Sequence, residues 1–549
     1  LNVEVDPVSG FLVRPGWYRW NADDIAPPLT WDPRNAFFAP LSTGLYQVFV
    51  ASDGAVYAAG ADGIFADLLV PCNASPHLAD FAAWGDDTYI ATGKNGAVVG
   101  GAPTRRTGPG GATQLADASL GFNDDYTVPV GGRGLFAEFV ETHAGYLFYG
   151  NLVEQGADAG EHPNRIRWSH PNQPEDFASF DFIDINLGGG RITALQSFQD
   201  HLLIFKDSSV WALYGYDLES WQLVQVSESV GAPTTTAVTR NEGSTFFFSG
   251  GAGTGVFEYG SRGVREISEA LEPALDEITN YDDIWVGWVE RRLWAALPRQ
   301  APSGPTRRDA FSAGVGTGVF VWDPSMGGES GSWVYHEPAV GSVRCIVEGS
   351  DQRGEDPLLV LADAGTEEVA CLVRTRSHHG RIRVAQDEII APGVLTSYPC
   401  RYTTGWLHAG WPERLKSWLR PRFVARRKAQ AVRLRVDVFK DYDSSTPTRT
   451  LEGFVSQSSA DVFFRELGFD DPLGGGFDFK ELGAADPSGR GADFTAGTVG
   501  SAVGRVSRGW GPARAVQIRV SNATNEEDAG RPWAIDALFL KYRYRRHTT

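Results

Sequence analysis

The sequence predicts an all-β chain: a β-propeller of about six or seven blades over residues 1–395, followed by a β-sandwich or jelly-roll-like domain over 396–549. Three observations predict it. The chain has 549 residues, too many for one ordinary domain. It carries 64 Gly, 31 Pro, 17 Trp, 17 Tyr and 31 Phe, so turn residues alternate with aromatic-rich runs, as in a chain of many short strands. Hairpin signals recur at the roughly 40–60-residue spacing of propeller blades.

The hairpins follow one another along the chain. Leu45–Ala51 turns at Ser52-Asp53-Gly54 into Ala55–Ala59, and Thr88–Thr92 turns at Gly93-Lys94-Asn95-Gly96 into Ala97–Val99. Phe198–Phe205 reads as one strand, which turns at Lys206–Ser209 into Val210–Tyr214. Thr245–Ser249 leads to Gly255–Tyr259, Gly318–Trp322 to Trp333–His336, and Pro357–Ala362 through Asp363-Ala364-Gly365 to Val369–Val373. Each pairs period-2 alternation with a turn that tolerates positive φ. A lone four-stranded blade cannot bury both faces, whereas a closed ring of blades does. Ser268–Thr279 reads as a short helix, with apolar Leu271, Ala274, Leu275 and Ile278 and Ser268 as N-cap.

After residue 395 the texture changes. Val432–Lys440 alternates strongly, with Val432, Leu434, Val436 and Val438 on one face. Leu415–Val424, Ala515–Ser521 and Trp533–Tyr544 read as further strands, and Gly468–Gly511 as a long Gly-rich loop. A sandwich fits these elements best.

Charge and cysteine usage narrow the function. The formal net charge is −19, but residues 401–549 hold 24 Lys+Arg against 17 Asp+Glu, leaving 25 against 51 in residues 1–400. An acidic body of that kind is not a phosphate-gripping surface. It suits solubility, or a wall along which DNA slides without sticking. No apolar run is long enough to span a bilayer, so no membrane anchor is expected. Residue 1 is Leu and Met326 is the one methionine, which reads as a processed or truncated product. Cys72, Cys345, Cys371 and Cys400 form no CxxC pair and read as small buried residues, with Cys345 and Cys371 open to pairing across neighbouring strands.

Candidate chemistry is sparse, and no catalytic, cofactor-binding or metal site is assigned. His378-His379 would point to opposite faces of a strand. Asp86-Asp87, Asp124-Asp125 and Asp282-Asp283 are available acids of the kind glycosidases use, but adjacent Asp residues read first as turn formers. Asp181, Asp184 and Asn186 gather oxygen ligands for a weak cation site, against the plainer reading of a solvated strand face. Gly188-Gly189-Gly190 precedes a strand rather than a helix, which argues against a phosphate cradle. The basic run Arg420–Lys428 lies in strand texture and reads as a solvated face or a protein interface. Trp17, Trp20, Trp31, Trp406 and Trp411 are candidates for stacking on sugars, with core packing as the default for each.

One longer stretch carries a resemblance. Asn164–Phe177 (NRIRWSHPNQPEDF) is followed by Phe182–Leu187 (FIDINL), Gly188–Ile192, Leu195–Tyr214 (LQSFQDHLLIFKDSSVWALY) and Val230-Gly231-Ala232. This order resembles propeller-type tail proteins of tailed bacteriophages. Phe11–Gly16 (FLVRPG) resembles the opening of podovirus tail nozzle proteins, and Trp533–Tyr542 (WAIDALFLKY) their closing strand. The resemblance covers about half the chain in scattered pieces. It implies a structural virion protein of the tail, without catalytic residues or cofactors. It further implies a homo-oligomeric, hexameric ring bound to other tail or adaptor proteins, with genomic DNA passing through without specific binding. A receptor- or glycan-binding virion protein and a secreted propeller glycosidase are the alternatives.

Overall fold

The computed structural model describes nearly all of residues 135–154 and 160–297 and, elsewhere, the strands named here with their adjoining turns; 20–32, 115–134, 298–318 and 467–500 are the longest stretches outside the description. The fold is all-β, with seven four-stranded antiparallel sheets formed in chain order. Blade 1 runs from Pro33–Pro40 to Phe65–Pro71, blade 2 from Asp80–Trp84 to Ala112–Gln114, and blade 3 from Leu135–His143 to Phe182–Asp184. Blade 4 runs from Ile192–Phe198 to Gln222–Ser227, blade 5 from Val238–Arg240 to Gly263–Glu266, and blade 6 from Trp285–Val289 to Ser332–His336. Blade 7 takes three strands from Ser342–Val347 to Cys371–Arg374, and its fourth from the other end of the chain, where Trp17–Arg19 pairs with Cys371–Arg374. The first strand of each blade lies innermost against the first strand of the next, and Ser342–Val347 meets Pro33–Pro40 to close the ring.

The apolar cores sit between blades, as the stacking argument requires. Phe139, Phe148, Ile166 and Trp168 of blade 3 pack with Leu202, Ile204, Trp211 and Leu213 of blade 4 in one cluster. Phe246 and Phe248 of blade 5 join Leu293, Phe320 and Trp322 of blade 6 in another. Burying one Leu-, Ile- or Phe-sized side chain contributes about 1.5–3 kcal/mol. Each of the five interfaces from blade 1 to blade 6 holds several such residues, so a blade cut from that run loses most of its support.

Three further sheets follow among the described residues: one of ten strands, one of three, and a two-stranded one of Gln386–Asp387 and Thr396–Ser397. Val432–Lys440 pairs with Arg449–Val455 and Val516–Asn522, third from one edge of the larger sheet. Val436 and Val438 are fully buried as the alternation predicts, but so are Phe439 and, nearly, Asp437 on the opposite face. Asp437 is held by Arg435 Nε at 3.1 Å and the Thr450 hydroxyl at 2.7 Å, as a buried carboxylate requires.

The structure differs from the sequence reading at several points. The hairpin of Val3–Asp6 and Gly10–Val13 joins the ten-stranded sheet through Phe11↔Ile535 and Leu12↔Ala534. The two terminal segments that carry the resemblance therefore hydrogen-bond to each other. Phe198–Phe205 is two strands, split by a turn in which Gln199 adopts φ 49°. Ser501–Val506 forms a strand inside the stretch read as a loop, while Ala97–Val99 lies outside the described residues. The predicted helix shows a 3₁₀ turn at Glu269–Leu271. The Ser268 hydroxyl accepts from Val256 N–H at 2.9 Å, bonding a strand rather than capping a helix. Cys345 and Cys371 both lie opposite Val360, on either side of it. Two strand spacings of about 4.8 Å separate them, beyond disulfide reach.

Candidate functional site: the central channel

The inner strands of all seven blades enclose a cavity of about 320 Å³ on the ring axis. Its wall mixes polar and apolar side chains, with Asn35, Asp80, Glu141, Gln196, Thr235, Thr239, Arg240 and Trp285 among its residues. Sequence reasoning singled out none of these. The signal was an acid set in an apolar inner strand, Asp80 in DFAAW and Glu141 in LFAEFVETH.

Hydrogen bonds across this wall tie blade to blade. Asn35 Nδ2 of blade 1 donates to the Ala79 carbonyl at 2.6 Å. Val140 N–H of blade 3 donates to Asp80 Oδ2 of blade 2 at 3.0 Å. Gln196 Nε2 of blade 4 donates to Glu141 Oε2 of blade 3 at 3.3 Å, and the Arg240 guanidinium of blade 5 donates to the Ser197 carbonyl of blade 4. Trp288 N–H of blade 6 donates to the Thr239 hydroxyl of blade 5 at 3.1 Å. The Thr235 hydroxyl, leading into blade 5, donates to Asp80 Oδ1 of blade 2 at 3.3 Å. Blades 2 and 5 stand nearly opposite each other in a ring of seven. This last bond spans the channel between them.

The two acids are held close to neutrality. Burial pushes the Asp80 carboxyl up to about 7; its hydrogen bonds from Val140 and Thr235 oppose the shift, while the nearby Glu141 adds to it. Burial likewise pushes Glu141 up to about 7, against the attraction of Arg240. Asp80 is 8% exposed, whereas Glu141 keeps more contact with the cavity.

Beside the channel lies a second polar group. His143 Nδ1 meets Ser197 Oγ at 2.9 Å, and its Nε2 is buried without a partner among the described residues. Burial, with His201 and Arg240 nearby, pulls His143 down to about 4, so it is a neutral imidazole at pH 7. His201 Nδ1 meets Asp200 at 3.0 Å and its Nε2 meets the Tyr259 hydroxyl at 3.2 Å, with Tyr214 3.3 Å beyond. A proton on Nδ1 toward the carboxylate makes Nε2 the acceptor, so Tyr259 donates to His201 and Tyr214 to Tyr259. The chain clamps blade 4 to blade 5.

The motif that carries the resemblance is committed to packing. Arg165 forms a bidentate pair with Asp184 at 2.8 and 2.9 Å, and its guanidinium lies 3.8 Å from the centre of the Phe182 ring. Arg167, 1% exposed, bonds Glu154 through Nη2 at 2.9 and 3.1 Å and the Ala178 carbonyl at 3.0 Å. His170 lies between Asp176 at 3.0 Å and Asp181 at 3.4 Å. The buried ammonium of Lys206 donates to the Ile185 and Leu187 carbonyls at 2.9 and 3.2 Å, fixing the passage from blade 3 to blade 4. Arg165 thus takes up Asp184, one of the three residues of the candidate cation group.

The other sequence candidates are scattered. Both oxygens of Asp86 accept from Ser42, N–H and hydroxyl, each at 2.6 Å; these bonds join blade 2 to blade 1 rather than closing the turn of Asp86, and they lower its carboxyl's pKa. Gly188-Gly189-Gly190 takes φ of 67°, 50° and 80°, a left-handed run that only glycine adopts readily, leading into the strand Ile192–Phe198. Arg422–Arg426 of the basic run is a strand of the ten-stranded sheet. Trp17 lies in the closing strand of blade 7, and Trp406 packs against Tyr442 with centroids 5.1 Å apart and ring planes tilted by 46°. Asp124-Asp125, Asp282-Asp283, His378-His379, Trp20, Trp31, Trp411 and Cys72 lie outside the described residues. Among the described residues no group of three or more His, Cys, Asp or Glu is placed to hold a metal ion. No helix among them is long and apolar enough to cross a membrane.

No family model and no curated protein matches the chain. Among solved structures, a streptogramin B lyase is similar at 11% identity and a TM-score of 0.34, over 65% of this chain and 96% of that one. A catalytically inactive virginiamycin B lyase from Staphylococcus aureus with quinupristin gives 11% and 0.37, over 65% and 99%. The Pan2 WD40 domain of Neurospora crassa gives 9% and 0.37, over 66% and 96%. At these identities the likeness is one of fold alone.

Proposed function

We propose that the chain is a structural component of a bacteriophage tail, a nozzle or tail-tip protein that works as a homo-oligomeric ring beside other tail or adaptor proteins. The observation that carries this reading is the use made of the motif around Asn164–Tyr214. Its charged side chains Arg165, Arg167 and Lys206 are paired or capped inside the blades rather than presented to a substrate. That is the arrangement of a rigid scaffold. The excess of acid in residues 1–400 favours DNA sliding past without sticking. Because Asp80 and Thr235 bridge the propeller axis, the conduit for DNA runs between copies of the chain, not through a blade ring. The test is co-purification of the tagged chain with virion proteins, with antibody labelling of particles. Label at the tail end is expected, and label absent from particles overturns the proposal.

A second reading, receptor or glycan binding by the same virion protein, is favoured by one observation. Tyr442, 51% exposed, and Trp406 form an aromatic pair of the kind that stacks on sugar rings. A glycan array with wild type and Trp406→Ala tests it, and identical profiles overturn it.

A further inference from the structure

We propose that copies of the chain dock head to tail, the outward face of the three-stranded sheet of one copy seated on the loop end of blades 3 and 4 of the next. The inference rests on the ring reading above and assigns its contact surfaces. Among the described residues, exposed large apolar side chains are confined to two regions. In the propeller they are Phe180, Leu187, Tyr216 and Val224, all on blades 3 and 4 or the passage between them; after residue 400 they are Leu415, Tyr442 and Tyr542. Apolar exposure concentrated in this way marks a contact surface.

The two regions carry opposite charge. Phe180, 81% exposed, and Tyr216, 67% exposed, lie in the connections 169–181 of blade 3 and 215–221 of blade 4. These connections come together at one end of the two blades. Trp221 packs edge-on against Trp168 and Tyr146, with centroids 4.5 and 5.3 Å apart. Burial, then the charges of Asp217 and Asp181, push the Tyr146 phenol up, so both acids lie near that one hydroxyl. The two connections hold five acids, Glu175, Asp176, Asp181, Asp217 and Glu219, and no Lys or Arg. Asp217 and Glu219 are exposed.

The three-stranded sheet consists of Lys416–Trp418, Gly511–Ala513 and Tyr542–Tyr544. Ser417 stands opposite Pro512 on one side and Arg543 on the other, so these three share a face. Two residues along their strands, Leu415 and Arg514 fall on that same face, while Lys416, Trp418 and Ala513 are buried on the other. Leu415, Pro512, Arg514 and Arg543 are all exposed. Neither guanidinium has a carboxylate partner among the described residues; Asp441, alongside, accepts from the Arg514 backbone N–H at 2.6 Å. A two-fold contact of either surface with itself sets like charges face to face. The basic sheet face and the acidic blade end attract instead, and bring Leu415 and Pro512 to the exposed Phe180 and Tyr216. Such a heterologous contact closes into a ring when the rotation between copies allows.

Light scattering of the full-length chain after size exclusion, at low and high salt, tests this. Wild type is expected in assemblies larger than a dimer that weaken as salt rises. Arg514→Glu with Arg543→Glu forms one variant, and Phe180→Ala with Glu219→Lys the other. Each alone is expected to associate at least tenfold more weakly, with circular dichroism and melting confirming that both are folded. An equimolar mixture keeps one wild-type contact per pair and is expected to form dimers. Folded variants that stay monomeric when mixed overturn the proposal. Assembly unchanged in either variant overturns this contact and leaves the ring standing; if the arginine variant then loses retention of a short DNA duplex in a gel, the face belongs to nucleic acid. A wild type monomeric at every concentration overturns the contact and the ring together.

Discussion

Replacing Asp80 by Asn should make the propeller more stable in alkali, and the reason can be worked from the structure. The carboxyl stands at about 7 in the folded chain against an ordinary value of 3.8. Between those values the native state holds a proton that the unfolded state releases, so stability is greatest below about 3.8 and falls as pH rises toward 7. At 1.36 kcal/mol per pH unit, the loss above pH 7 is about 4 kcal/mol for this one group. Asp80 is 8% exposed, so solvent screening removes little of it. Asparagine keeps an oxygen for the Val140 N–H or the Thr235 hydroxyl and cannot ionise. Chemical denaturation of wild type and Asp80→Asn at pH 5, 6, 7 and 8 reads the effect, since titrating groups not coupled to Asp80 cancel in the difference and Glu141, its charged neighbour, is the group that changes with it. The variant should gain on wild type by about 2–3 kcal/mol between pH 5 and pH 8, because only the two units from pH 5 to about 7 fall inside that window. A difference that stays flat, or one that shrinks as pH rises, refutes the claim that burial holds this carboxyl neutral.

The remaining predictions concern other parts of the ring. His143→Gln should flatten the acid side of the stability profile, because a histidine held at about 4 loses stability as pH falls from 6.5 through 4; melting curves at pH 4 to 7 check this. Arg167→Ala should cost up to about 3 kcal/mol, measured by urea unfolding, because buried Glu154 keeps only its longer 3.4 Å contact with Arg165 Nη1. Gly231→Ala places a methyl group 2.0 Å from the Lys206 carbonyl oxygen and 2.7 Å from Ser209 N, so the variant should be recovered in poor yield and melt well below wild type. Deleting residues 1–19 removes the fourth strand of blade 7 and the hairpin paired with Ala534–Phe539, and limited proteolysis should then cut blade 7 first.

What the sequence disclosed was local. Ser52-Asp53-Gly54 and Lys206–Ser209 are turn-rich segments between alternating runs, and the hairpins around them stand where that chemistry puts them. The break at Gln199 escaped because its turn has no Gly or Pro and apolar alternation continues on both sides. The pairing of Phe11 with Ile535 joins opposite ends of the chain and leaves no local pattern. The strand Ser501–Val506 is hidden by its Gly-rich surroundings. The channel was illegible for a related reason. Asp80 and Glu141 look like ordinary outward charges until ring closure shows that their side of the strand faces the axis. The motif around Arg165 and Arg167 was conspicuous, but only the coordinates show that its charges are consumed by Glu154 and Asp184.

A cryo-electron microscopy reconstruction of the purified chain, or of the particle that carries it, tests the proposed assembly most directly. It should show a rotationally symmetric ring of copies, each with seven blades blocked along its own axis by side chains, around a wider shared opening. Solitary molecules at every concentration, or an open bore through each propeller, contradict it.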